Sequence, residues 1–381
     1  MQYRNFGKTG FKPSALGFGC MRLPQLAGDE NQIDEVEATR MIRHAIDQGV
    51  NYIDSAWSYH QGNSEPFLGR VLQDGYSEKV ALATKMPSWL IEKSADFDHF
   101  FSQQLERLQT DHIDFYLLHA LNQNYWDNYL KLKIFDWAEK KLADGKIRHL
   151  GFSFHDEFPV FETILNGYDQ WGFCQIQYNY MDRDYQAGER GLRMAAERGL
   201  GVVIMEPLKG GRLAIEVPPG PVKEVFSRSE SSRKPAEWAL QWLWNQPEVG
   251  IVLSGMSTME QVEENLASAS RSGAGSLSTE EMEIVADANT AWQGLAPVAC
   301  THCEYCLSCP SDVMIPQVFK IYNNAVMFNQ QEQGRTAYKN QIPANSQADA
   351  CIECGTCETL CPQNLTIIEY LKDAHAYLKE T

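Results

Sequence analysis

Between residue 15 and about residue 270 the chain alternates between two hydrophobic patterns. Short, near-continuously apolar runs recur at ALGFGCM (15–21), NYIDSA (51–56), KVALATK (79–85), IDFYLLH (113–119), HLGFSF (149–154), FCQIQYN (173–179), GVVIMEP (201–207) and VGIVLSG (249–255). Runs of this kind, apolar at successive positions, are those of strands buried on both faces of a parallel sheet. Between them lie stretches with apolar positions three and four apart, such as EATRMIRHAIDQG (37–49), DHFFSQQLERL (98–108) and MEQVEENLASA (259–269). That spacing predicts amphipathic helices. Eight strand–helix units in about 255 residues predict an α/β fold, a (β/α)8 TIM barrel. An open doubly wound sheet is the alternative, but eight units are many for it and no complete dinucleotide glycine fingerprint is present. The opening YRNFGKTGFKPS (3–14) reads as a small hairpin placed to plug the lower mouth of the barrel.

The pattern changes beyond residue 268. SASRSGAGSLS (268–278) is small, polar and glycine-rich, as in a linker. Ser278 and Glu281 form a capping box that opens a helix to about Trp292, and Gly294 and Pro297 end it. The expected organisation is a barrel over 1–270, a linker and helix over 271–298, and a third segment over 299–381. That last segment holds eight of the ten cysteines, all between Cys300 and Cys361.

Charge narrows the partners. Lys and Arg number 33 against 50 Asp and Glu, a net charge of −17. A nucleic-acid partner would require a basic face, and an anionic membrane would repel this balance. No run approaches the roughly 18 apolar residues of a membrane span. The N-terminal residues carry no apolar signal run, so a cytoplasmic location is expected. Two short motifs are set aside. Gly7-Lys8-Thr9 lacks the upstream glycine of a phosphate loop, and Gly17-Phe18-Gly19 lacks the third glycine of a dinucleotide turn.

Candidate chemistry lies at the strand ends, where a barrel of this kind carries its site. The second run ends near Asp54, with Tyr59 five residues on; the third ends in Lys85 and the fourth in His119. Taken singly, such residues are more often rim or core residues. Four complementary ionisable types at neighbouring strand ends point instead to one site. A phenol titrates near ~10, and a nearby ammonium lowers that value. Asp54 would hold Lys85 charged, Tyr59 would give a proton to an oxygen, and His119 would steer that oxygen.

The segments DSAWSY (54–59), ATK ending at Lys85 and LLH ending at His119 resemble the aldo/keto reductase family, over roughly residues 1–270. The resemblance implies a metal-free carbonyl–alcohol oxidoreductase that uses a nicotinamide cofactor. It implies Tyr59 as general acid, Asp54 and Lys85 as its tuning pair, and His119 as the substrate-orienting residue. For the cofactor it implies Met21, Asp54, Ser153 and Gln175 around the nicotinamide. It adds Leu208 and Gly210 on the pyrophosphate, and Gly255, Gln261, Glu264 and Asn265 on the adenosine. Phe154 stands where the family carries an asparagine, and Met205 where it often carries a stacking aromatic ring. No basic residue lies in 254–265, which leaves hydroxyls, backbone amides or Arg212 to meet a 2′-phosphate. NADP(H) is favoured, with NAD(H) as the alternative. Trp57, Trp89, Tyr125 and Trp126 are either an apolar pocket wall or ordinary loop packing.

The cysteines form two runs. Cys300, Cys303, Cys306 and Cys309 follow C-x2-C-x2-C-x2-C-P; Cys351, Cys354, Cys357 and Cys361 follow C-x2-C-x2-C-x3-C-P. The second is the spacing of bacterial ferredoxins, in which the fourth cysteine of each run serves the other cluster. Two [4Fe–4S] clusters are therefore expected, one on Cys300, Cys303, Cys306 and Cys361, the other on Cys351, Cys354, Cys357 and Cys309. A zinc ribbon would need two C-x2-C pairs well apart. The intervening IPQVFKIYNNAVMF looks helical. Three readings of the combination stay open. The clusters are structural, or they relay electrons to a redox partner or an unusual substrate, or the chain is a redox-sensing nicotinamide-binding adaptor. The complete four-residue site speaks against the last. An anaerobic metabolism is expected.

Overall fold

Each apolar run folds into one strand of a closed parallel barrel. The computed structural model describes residues 1–26 and 29–379. In chain order the strands are β1 (Leu16–Gly19), β2 (Gln25–Leu26), β3 (Asp29–Ile33), β4 (Tyr52–Asp54), β5 (Ala81–Met86), β6 (Ile113–Leu121), β7 (Ile147–Phe154), β8 (Phe173–Gln177), β9 (Gly201–Met205) and β10 (Ile251–Ser254). The barrel order is β1-β10-β9-β8-β7-β6-β5-β4, closed by β4 on β1. Eight of the ten strands are thus the eight expected runs.

Several runs overstate their strands at the upper end. Cys20–Arg22 turn into a 3-10 helix after β1, and the chain leaves the barrel wall after Gln177 and after Met205. The apolar pattern continues there because residues beyond the strand ends, such as Cys20 and Tyr178, are buried as well. Conversely, β6 runs to Leu121 through an irregularity after Leu118, where Ala120 takes a φ of 53°. The antiparallel pair β2–β3 was not foreseen. Gln25 and Leu26 are exposed and Ile33 is buried at the end of β3, so the two-residue β2 offers no apolar–polar alternation by which a pattern would reveal it.

The lower mouth is filled. Tyr3 bridges Ser14 in antiparallel fashion, and Arg4 N–H donates to the Pro13 carbonyl. This turn drives Phe6 into the barrel against Tyr52, Phe115 and Phe173, with ring centroids 6.5, 5.6 and 6.1 Å away. Ala81, Val203, Ile251 and Leu253 complete that layer.

The chain divides into two compact units. One comprises Met1–Glu216 and Ser231–Val285, the other Val217–Glu230 and Ala286–Thr381. The boundary falls inside the helix Thr279–Gln293. The second unit is helical, with helices at Ile315–Met327, Gln331–Gln341, Thr356–Leu360 and Ile367–Leu378. Its core gathers Val318, Phe319, Tyr338, Ile342, Leu371 and Leu378, with Cys306 and Cys357 packed among them. Among the described residues no helix is long and apolar enough to cross a membrane.

Candidate active site

Strand register assembles the upper end of the first unit. Gly19 on β1 pairs with Asp54 on β4, Asp54 with Ala83 on β5, and Lys85 on β5 with Leu117 on β6. Asp54 and Lys85 thus stand on adjacent strands two residues apart in level, and His119 follows just above. Lys85 is 0% exposed and Asp54 2%. The Lys85 ammonium donates to Asp54 Oδ1 at 2.7 Å, to the Ser55 carbonyl at 2.6 Å and to the Tyr59 hydroxyl at 3.4 Å. The Tyr59 and His119 rings meet edge to face at 6.3 Å. All four expected residues therefore converge.

The electrostatics depart from expectation at one point. The ammonium beside Tyr59 was expected to lower its pKa, yet the net shift is upward. Burial, which disfavours the phenolate, outweighs Lys85, and Asp54 adds to the upward push. Burial also pulls Lys85 down, but Asp54 and Tyr59 outweigh it and hold the ammonium charged. Burial, then Lys85 and His155, hold His119 well below the usual imidazole range. His119 is therefore neutral at pH 7, with one ring nitrogen to donate and one to accept. The backbone of His119 is held by Ser88, whose hydroxyl donates to its carbonyl at 2.5 Å and accepts from the Tyr129 hydroxyl at 2.9 Å.

These groups open into a cleft of about 750 Å³. Tyr59, His119 and Asp54 line it, as do the expected Met21, Ser153, Gln175, Leu208, Gly210, Gly255, Gln261, Glu264 and Asn265. The residues suit a nicotinamide dinucleotide. Gln175 Oε1, Asp54 Oδ2 and His119 Nδ1 are buried there without a hydrogen-bond partner. Buried polar atoms of this kind call for a ligand, because leaving them unpaired costs about 1–3 kcal/mol each. Ser153 Oγ accepts the Ala120 N–H at 2.7 Å, which leaves its own proton free to donate. Met205, in the place of the aromatic ring, lines the cleft and receives the Gln175 amide on its sulfur at 3.6 Å.

The loop after β9 is anchored from outside the cleft. Glu206, Lys209, Gly210 and Gly211 all take positive φ. Lys209 is bound to Asp182 at 2.6 Å, and Asn179 donates to both Asp182 and the Glu206 carbonyl at 3.1 Å. The loop's one lysine is thus committed to that anchor. Among the residues expected at the adenosine, Asn265 donates to Ser254 Oγ at 3.0 Å, and Gln261 Oε1 accepts the Ser257 N–H at 2.8 Å.

Sequence reasoning missed the cations that the fold brings to this loop. Arg22 packs against Gly255, where any Cβ would stand 3.2 Å from its side chain, and it pairs with Glu206 at 3.5 Å. Lys234 pairs with Glu264. Both lie far from 254–265 in sequence, so no local pattern announces them. Arg212, the candidate named from sequence, is not among the cleft residues. Of the four aromatics, Trp89 lines the cleft and lies 5.1 Å from the His119 ring. Trp57 packs on Phe100 and Trp126 on Phe135 and Trp171, while Tyr125 is not a cleft residue.

In the second unit a small cavity is lined by Cys300, Cys303, Cys306 and Cys361, with Ile315, Phe319, Leu365 and Ile367. Four thiols in an apolar cup suit an iron–sulfur cube. Cys351 lies close enough to Cys357 to act on its thiol. Cys303 and Cys354 are exposed. Among the described residues no three His, Cys, Asp or Glu side chains close up tightly enough to hold a metal ion.

The chain matches the aldo/keto reductase family model over residues 15–290 and a 4Fe-4S dicluster domain model over 299–366. It belongs to the aldo/keto reductase family, and it is an oxidoreductase of that class carrying a 4Fe–4S domain. Among its relatives is the L-galactose dehydrogenase of Arabidopsis thaliana, 28% identical over 290 residues, which span 70% of this chain and 88% of the relative. Among solved structures, the holo form of an aldo-keto reductase from Bacillus halodurans superimposes with a TM-score of 0.63 at 27% identity, covering 76% of this chain and 96% of that one. An aldo-keto reductase from Klebsiella pneumoniae, solved with NADPH, shares the fold at a TM-score of 0.60 and 23% identity, covering 75% and 94%.

Proposed function

We propose that the first unit interconverts a small-molecule carbonyl and an alcohol with NADP(H), Tyr59 acting as the general acid. The observation that carries this reading is the Lys85 ammonium bridging Asp54 Oδ1 at 2.7 Å and the Tyr59 hydroxyl at 3.4 Å on the wall of the cleft. A nicotinamide dinucleotide held in the cleft would supply the hydride for the carbonyl carbon. Tyr59 gives its proton to the carbonyl oxygen, and the Lys85 ammonium stabilises the phenolate left behind. Asp54 keeps Lys85 charged and oriented. Neutral His119 donates a hydrogen bond to the same oxygen and so aligns it with Tyr59. Ser153 and Gln175 hold the carboxamide, Leu208 and Gly210 the pyrophosphate, and Gly255, Gln261, Glu264 and Asn265 the adenosine. Met21 covers the nicotinamide end. Arg22 and Lys234 beside that loop favour NADP(H) over NAD(H).

For the second unit the same proposal assigns two [4Fe–4S] clusters. Cys300, Cys303, Cys306 and Cys361 hold one; Cys309, Cys351, Cys354 and Cys357 hold the other. Their first role is to cross-link a small helical unit. A second reading, electron relay to a redox partner, is favoured by the exposure of Cys303 and Cys354, which would leave a cluster edge near solvent.

The test is nicotinamide oxidation by anaerobically purified protein against aldehydes, ketones and quinones, run beside Tyr59→Phe. General acid catalysis contributes roughly 10²–10⁴-fold. Turnover should fall by that order in the variant, with dinucleotide affinity within about twofold. Equal turnover in the variant would remove Tyr59 as the acid.

A further inference from the structure

The Lys85 ammonium is held to the root of the Tyr59 segment by Asp54 and the Ser55 carbonyl, but it meets the Tyr59 hydroxyl itself only at 3.4 Å. Lys85 sits at the end of β5, while Tyr59 opens a turn in which His60 and Gln61 take φ values of 50° and 54°. Non-glycine residues in that region hold their shape only where the surroundings impose it. The helix Ser64–Val71 begins directly after this turn, and its first turn carries Glu65, which is 0% exposed.

Glu65 is bonded toward both segments. On the Lys85 side, its Oε1 accepts from Thr84 Oγ1 at 2.6 Å and from Gln104 Nε2 at 2.6 Å. Gln104 Nε2 also reaches the Lys85 carbonyl at 3.0 Å, and Gln104 is fixed in turn by the Tyr116 hydroxyl at 2.7 Å. On the Tyr59 side, Glu65 Oε2 pairs with Arg107 at 3.3 Å. The Arg107 guanidinium lies 3.5 Å from the centroid of Trp57, two residues before Tyr59. A Cβ placed on Gly62 would touch the Trp57 carbonyl at 3.6 Å and Arg107 at 3.9 Å, so both ends of the Tyr59 turn close over this guanidinium.

We propose that Glu65 is a positioning residue that sets the approach of Tyr59 to Lys85, through Thr84 and Gln104 on one side and Arg107 and Trp57 on the other. The proposal rests on the reading of Tyr59 as the proton donor. A carboxylate suits the hub because it only accepts and has two oxygens, one for each arm. Glu65→Gln keeps the shape but turns an amide N–H₂ toward Arg107 or toward Gln104, so one arm is lost. Small displacements of reacting groups cost large factors in rate.

The experiment compares wild type, Glu65→Gln and Arg107→Met as holoenzymes. The expected result is a kcat lower by roughly ten- to a hundredfold in each variant, with the KM for nicotinamide within about twofold. The double variant should fall little further, since the two residues form one chain of contacts. A second readout needs no turnover. The ultraviolet phenolate signal that Tyr59→Phe abolishes reports the titration of Tyr59, which Lys85, Asp54, Cys20 and His119 face. Lys85 favours the phenolate, so a longer approach should move this signal about one unit toward higher pH. Unchanged kcat and unchanged phenolate titration, with only a lower Tm, would overturn the proposal. Arg107 is partly exposed, so Arg107→Met carries the test if Glu65→Gln does not fold. Absence of carbonyl turnover in the wild type would overturn the proton-donor reading, while the phenolate shift would still decide whether Glu65 sets the approach.

Discussion

The two units prepare their sites in different ways. In the barrel, the polypeptide alone brings Lys85, Asp54 and Tyr59 within hydrogen-bond reach, and the surrounding strands are buried on both faces. The geometry is a by-product of strand register in a large closed core. In the cysteine-rich unit, Cys300, Cys303, Cys306 and Cys361 share a cavity, yet Cys303 and Cys354 remain exposed and the core is confined to a few helix faces. Small units of this kind usually draw stability from metal ligation. The comparison teaches that the barrel site is a consequence of the fold, while on the proposed structural role of the clusters the other site would be part of its cause.

The sharpest way to break this comparison is to remove the iron. Chelation after mild oxidation should abolish the thermal transition of the cysteine-rich unit and leave the barrel transition in place, followed by calorimetry. Survival of both transitions would make the clusters passengers.

A smaller effect is expected inside the barrel. Lys85→Met leaves the Asp54 carboxylate buried without its partner, and breaking such a pair costs about 3–5 kcal/mol. Denaturant unfolding should show that loss for the barrel, with Lys85→Met, Asp54→Asn together recovering much of it. The recovery would separate the cost of a stranded charge from the cost of an altered core.

Acid should then distinguish the units by slope. Burial is the largest cause in each case, and it depresses the pKa of His60, His119, His149 and His155 in the barrel. The unfolded chain therefore binds more protons than the folded one below the ordinary value of 6.5. Barrel stability should be fully present above that pH and fall as pH drops through and below it. His119→Gln should flatten the slope by one proton, about 1.4 kcal/mol per pH unit where that proton is taken up. An unchanged slope would mean that His119 is not neutral in the fold. The smallest expected effect concerns cofactor choice. Arg22→Met and Lys234→Met should each raise the KM for NADPH several-fold relative to NADH; equal changes for both would place neither cation on the 2′-phosphate.

Much of the architecture was legible because two signals are local. Apolar runs such as KVALATK mark strands regardless of what packs on them, and the cysteine spacing needs no fold to be read. Asp54, Lys85 and His119 were visible because an ionisable residue closing an apolar run is conspicuous. What escaped is whatever depends on distant segments meeting. Arg22 at Gly255 is 233 residues away along the chain (255 − 22), and Lys234 at Glu264 is 30 away. The upward shift of Tyr59 escaped for a related reason. Desolvation belongs to the whole surround, whereas the ammonium that opposes it can be named from one residue. Glu65 lay in plain view in YHQGNSEPFLG, but only its three partners, Thr84 on β5 and Gln104 and Arg107 on the helix Ala95–Leu108, give it a role.

The aromatic cork at the bottom of the barrel has a consequence for traffic. With Phe6 wedged among Tyr52, Phe115 and Phe173, the lower mouth of the vessel is shut. Whatever reaches Tyr59 must enter from above, and whatever leaves must retrace that path past the same loop. Solvent cannot rinse the chamber from beneath. The stretch from Glu206 to Gly211, which Asp182 and Asn179 hold in place, borders that upper path.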